Sequence, residues 1–251
     1  MNRIKPLVLF FFFTLIFSKT NATHIAASDI YYEYVAPMQY RVHLILYRDC
    51  KPGNAGLAGN VQLRAESASC SQNFTFSADT NGNNTRKIYG DLCPNIVNWC
   101  QNAASAFPAY EEWHYTGIVT LPMACTDWQF KYNNNCCRNN AIGNLQNPGS
   151  AGICVFARLN NVSRPINNSA FLSVKPIPYV CVNQPKTYLN GPVDPDLDSL
   201  VFVPAQPLNQ TNCFPINWAA GAITANPFGP AAPGGYVVNP NTGTAVFTPI
   251  A

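Results

Sequence analysis

Ten cysteines lie between Cys50 and Cys213, and their meaning depends on the compartment in which the chain folds. Arg3 and Lys5 open it, Leu7 to Phe17 is apolar apart from Thr14, and small residues at Thr20 and Ala22 precede a cut after Ala22. A basic start, a short apolar centre and a small-residue cut define a secretory signal peptide, so residues 1–22 are read as one. The apolar run is too short to span a bilayer, which takes about 20 residues, and no later stretch is longer. The mature chain is therefore expected outside the cell or at its surface, without a transmembrane segment. An even set of cysteines there implies disulfides.

Cys93 and Cys100 flank a short loop and are expected to pair. Cys181 and Cys213 are expected to pair with each other, and Cys50 with Cys70. Cys136 and Cys137 are adjacent, so on a strand they point to opposite faces and need different partners, with Cys125 and Cys154 the nearest. A thiolate metal site would want closely spaced cysteines with supporting histidines. No Cys-x-x-Cys exists, and His24, His43 and His114 stand far from such a motif.

Alternation with the period of a half-buried strand identifies an all-β chain. Tyr40, Val42, Leu44 and Leu46 face one side while Arg41 and His43 face the other. Val61, Leu63 and Ala65 repeat the pattern, as do Trp128, Phe130 and Tyr132, then Ile153, Val155, Ala157 and Leu159. Asn, Gly and Pro clusters separate these runs, which points to an antiparallel β-sandwich. Residues 95–106 are expected to form a helical turn. Pro176, Pro178 and Pro185 mark a boundary. Residues 23–175 are read as the sandwich, and residues 176–251 as a shorter, incomplete module with strands at Leu200–Val203, Gly235–Val238 and Thr244–Thr248.

Charged residues make up 11% of the chain and the net charge is +3. Without a basic block this gives no footprint for nucleic acid. Catalytic patterns are missing. Glu111 and Glu112 are adjacent and diverge on a strand. Pro148-Gly149-Ser150-Ala151-Gly152 lacks the first glycine of a nucleophile elbow. His43 is expected on an exposed face. Asp194, Asp196 and Asp198 could approach Ca²⁺, but this cation takes 6–8 oxygens, and an Asp/Pro turn explains the cluster without it. Asn73, Asn161 and Asn209 head glycosylation sequons.

Several stretches resemble large surface proteins of gliding bacteria. They are His24 to Cys50 with its Tyr47-Arg48-Asp49-Cys50 ending, Tyr115 to Pro122, Cys125 to Phe130 and Cys136-Cys137-Arg138-Asn139-Asn140-Ala141-Ile142. Further on come Pro178 to Pro185, Asp194 to Leu200, Thr242-Gly243 and Phe247-Thr248-Pro249. The resemblance implies adhesin-like proteins exported by type IX secretion, a second module of Ig-like or cadherin-like kind, and no catalytic residues. Ala26-Ala27-Ser28 and Leu197 stand where that family tends to have glycine. The expected function is a non-catalytic adhesion or gliding-motility module whose partner is an extracellular ligand, a glycan or a neighbouring module. A carbohydrate-binding module, with Trp99, Trp113 and Trp218 stacking on sugars, is the first alternative. A secreted hydrolase is the second.

Overall fold

The computed structural model describes residues 25–80, 86–90, 96–134, 138–176, 179–228 and 235–250. The signal peptide, His24, Cys93, Cys136 and Cys137 lie outside them. The chain is all-β with antiparallel sheets. The first strands are β1 (Ile25–Ala36), β2 (Gln39–Asp49), β3 (Asn60–Ser67), β4 (Gln72–Asp79), β5 (Lys87–Tyr89), β6 (Tyr110–Thr120), β7 (Trp128–Asn134) and β8 (Ile153–Leu159). Short strands follow at β9 (Phe171–Leu172), β10 (Lys186–Tyr188), β11 (Pro192–Val193), β12 (Tyr236–Val238) and β13 (Ala245–Phe247). Residues 96–106 make successive turns without a helix. The helical piece among the described residues is the 3-10 turn Pro148–Ser150.

The first eight strands form one sheet in the order β1-β2-β6-β4-β3-β7-β8, with β5 against β6. The sheet rolls into a nearly closed, barrel-like form, so the sandwich-like all-β architecture that was expected is built from one continuous sheet. An open strand edge carries unpaired backbone groups that invite association. Here residues 165–169 occupy the seam beside β1. Tyr32 N donates to Ser169 Oγ (2.8 Å), Ser169 N to the Tyr32 carbonyl (2.9 Å), and Tyr34 N to Asn168 Oδ1 (2.8 Å). Tyr32 and Tyr40 hydroxyls reach across to the carbonyls of Arg158 and Pro165. Gly117 lets β6 cross β4 closely, since a Cβ there would run into Ser77 O and Ala78.

The interior contains the side chains that alternation placed there. Tyr40, Val42, Leu44 and Leu46 from β2, Leu63 and Ala65 from β3, and Trp128, Phe130 and Tyr132 from β7 pack in one cluster with Ile153, Ala157 and Leu159 from β8. Each large apolar side chain so buried is worth about 1.5–3 kcal/mol. The long strands β1 and β6 have weaker alternation because their outer faces also carry covered aromatic and ionisable side chains.

Disulfides join Cys50 to Cys100, Cys70 to Cys125 and Cys154 to Cys213. The expected Cys50–Cys70, Cys93–Cys100 and Cys181–Cys213 pairs are therefore replaced. Cys125 and Cys154 likewise do not await Cys136 and Cys137, and Cys181 is an exposed free thiol. The reason is topological. Cys50 ends β2 and Cys70 lies in the β3–β4 turn, but β6 and β4 stand between β2 and β3 in the sheet. Cys50 instead meets the loop that enters β6, and Cys70 meets the loop that leaves it.

Beyond residue 175, β10-β13-β12 form a three-stranded sheet and β11 pairs with β9. The β9–β11 pair, the Cys154–Cys213 bond and the Leu145–Trp218 bridge all cross the Pro-rich boundary. Leu200–Val203, expected as a strand, is not one. Phe202 N reaches the Pro240 carbonyl at 2.8 Å, and Val201 and Val203 are 74% and 77% exposed. Alternation alone cannot supply a strand with a pairing partner.

Candidate functional site

Three arrangements in the barrel carry chemistry-bearing side chains. The first is at one end of β2 and β6. Glu111 is buried and paired with Arg48, whose other nitrogens donate to the carbonyls of Ala55 (2.6 Å) and Asn54 (2.7 Å). Trp113 Nε1 donates to the same carboxylate at 2.8 Å. Glu111 therefore anchors the β2–β3 loop. Glu112 points the other way, to Lys175 Nζ at 2.9 Å. The two glutamates diverge as adjacent strand residues must.

The second lies on the outer face of β1, β2 and β6. Tyr31 stands opposite His43 in the register, and Ile45 opposite His114. His43 Nδ1 and His114 Nε2 are 2.9 Å apart, and the Tyr31 ring stacks on His43 with centroids 4.5 Å apart. His43 was expected to be exposed, but it is only 7% exposed. The cause is tertiary. Residues 169–175 cross this face as a strap, with Phe171 against Tyr31 (5.3 Å) and Lys175 on Glu112. Burial holds both histidines below their ordinary pKa and pushes the Tyr31 hydroxyl up to about 12. Sequence reading missed this cluster because it did not treat residues 25–36 as a strand. Alternation of Asp29, Tyr31 and Glu33 is the signal that could have found it.

The third is an open cleft of about 310 Å³ at the mouth of the barrel. Trp99, Tyr110, Pro108 and Ile142 line it, with Asp49 and Asn139 as its polar groups. Asp49 is buried and accepts from Lys51 N (2.9 Å) and Asn139 Nδ2 (3.2 Å). Trp99 Nε1 donates to the Ala109 carbonyl at 3.0 Å, and Lys51 Nζ lies 5.9 Å from its ring centre. Trp218 lines a separate cleft of about 370 Å³ with Phe228 and Tyr236. Trp113, by contrast, is held against Tyr115 and Glu111. Of the three tryptophans singled out for stacking, two therefore line open clefts.

The remaining flagged residues are in structural roles. Asp194 Oδ1 accepts from Asp196 N (2.8 Å) and Asp198 N (3.4 Å), while Asp196 receives Asn168 N and Nδ2. Leu197 adopts φ +62° between them despite its side chain, and is 90% exposed. Among the described residues, no three His, Cys, Asp or Glu side chains are grouped to hold a metal. The Ser150 hydroxyl donates to the Asn147 carbonyl. Asn161 is buried and accepts Cys125 N at 2.7 Å, so its sequon is closed in the folded protein. No helix among the described residues is long and apolar enough to cross a membrane.

No family description, curated protein or solved structure matches this chain. What the fold and its sites define is a disulfide-stapled antiparallel β-barrel whose buried charges support loops and whose aromatic side chains line shallow clefts.

Proposed function

We propose that the chain is a non-catalytic extracellular recognition module of a bacterial cell-surface adhesin or gliding-motility-associated protein exported by type IX secretion. The observation that carries the non-catalytic reading is the commitment of its two buried glutamates. Glu111 is held by Arg48 and Trp113, and Glu112 by Lys175. A general acid or base needs a positioned group within reach of a substrate proton, and these groups support the scaffold. Disulfides between loops at the barrel ends suit a module that presents a rigid surface outside the cell. The adhesion and secretion assignments rest on the sequence resemblance.

The test is retention of the secreted chain on immobilised cell envelopes and abiotic surfaces, alongside a panel of glycoside, ester and peptide substrates. Saturable retention, lost after reduction and unfolding, with no turnover, is expected. Turnover that disappears with Glu112→Gln, without retention, would overturn the reading.

A second reading is favoured by the Trp99 and Tyr110 cleft. Aromatic faces beside carboxylate and amide groups suit a sugar, whose ring stacks while its hydroxyls donate to Asp49. Binding on a glycan array that falls at least about 10-fold in Trp99→Ala, equivalent to about 1.4 kcal/mol, would support it.

A further inference from the structure

The buried histidine pair lies directly under the strap that leads to the C-terminal strands. A neutral imidazole has one donor and one acceptor nitrogen. Glu33 Oε2 lies 3.4 Å from His43 Nε2 without a formed hydrogen bond, and its negative charge favours the tautomer with the proton on that nitrogen. His43 Nδ1 then accepts from His114 Nε2–H across 2.9 Å. A first added proton goes to His114 Nδ1 and leaves the hydrogen bond in place, at the cost of a buried charge. A second would set two N–H donors face to face at that distance. We propose that His43, His114 and the 169–175 strap form an acid-sensitive latch, in which proton uptake by the pair releases the strap from the outer face of the barrel.

The surrounding charges set the balance. On β1, Glu33 favours the protonated pair, but Arg41 from β2 shares its carboxylate at 3.3 Å. On β6, Glu112 is offset by Lys175 of the strap at 2.9 Å. Lys87 of β5 adds positive potential at His114. The Tyr31 and Tyr47 hydroxyls are raised by burial and stay neutral in this range. Burial is the largest influence on both histidines and disfavours their charged forms. Lifting the strap removes Phe171 from Tyr31 and Lys175 from Glu112, which uncovers the outer face around the pair to water.

The sign follows from linkage. Histidines held below their ordinary value give stability that is full above about pH 6.5 and is lost as pH falls below it. Asp29 acts in the opposite direction, because burial raises its carboxyl while it accepts the Leu172 amide.

Hydrogen exchange of the full chain tests the latch at pH 7.5 and 5.0. The reporter is the Ser169 amide, which ties the strap to β1 at Tyr32 O (2.9 Å), with Ala65 and Phe130 as references. Each proton refused by the closed state lowers strap protection at pH 5.0 by up to about 30-fold, the limit set by an ordinary histidine pKa of about 6.5. Reference amides should keep their protection. In His114→Gln one titrating group is gone and the side-chain amide can turn its oxygen toward a protonated His43, so the drop should be smaller than in the wild type. A wild-type ratio unchanged within about 3-fold overturns the latch, whether or not the variant folds. An equal drop in the folded variant overturns it too.

Discussion

Replacing Phe130 with alanine should be among the most damaging single changes in the barrel. The ring is fully buried, edge-on to Tyr32 at 5.4 Å and Phe76 at 6.5 Å, and tilted against Tyr40 at 6.1 Å. Its register neighbours are Ala65 on β3 and Ala157 on β8. Both are too small to fill the space left behind, and the surrounding aromatics are tethered by hydroxyl bonds at Tyr32 and Tyr40. A core Phe→Ala change costs about 3–5 kcal/mol, more where the site cannot collapse, so about 4 kcal/mol is expected. For a chain of this size, about 2–4 °C per kcal/mol converts this into a Tm lower by about 8–16 °C. Urea unfolding followed by tryptophan fluorescence measures the loss directly. Ile118→Ala, at a side chain 56% exposed, is the control and should change stability by no more than about 0.5 kcal/mol. Lys131→Met should cost about 1 kcal/mol, because Lys131 pairs with Glu66 where simple alternation placed it at an inconsequential surface position. A Phe130→Ala protein losing under about 1 kcal/mol, or no more than Ile118→Ala, would refute the packing argument.

Four further outcomes are expected. Gly117→Ala should destabilise the barrel in thermal melts, because its Cβ would strike Ser77 O, whereas Gly56→Ala, with open space around it, should not. The Ser67 and Ser69 hydroxyls, with the Ser69 amide, hold the Asp127 carboxyl down to about 2 from an ordinary 3.8. Its contribution is full above about pH 4 and lost as pH falls toward 2, so Asp127→Asn should flatten acid unfolding in that window. Cys70→Ser should lose about 2–5 kcal/mol by removing a native disulfide, and thiol titration of the native protein should find Cys181 reactive but not Cys154 or Cys213.

The all-β class and the inward side chains of β2, β3, β7 and β8 were legible in the sequence because alternation is a local property of each strand. The divergence of Glu111 and Glu112 was legible for the same reason. Position along the chain could not give strand order, and disulfide pairing follows order. Cys50 and Cys70 are close in sequence, yet they lie at opposite ends of β6. The histidine cluster needed still more. Only the tertiary structure carries residues 169–175 across β1, β2 and β6, turning a polar outer face into a covered one. His43 changed from an expected surface residue to a buried partner of His114 because burial depends on what packs over a strand, and its own sequence does not encode that.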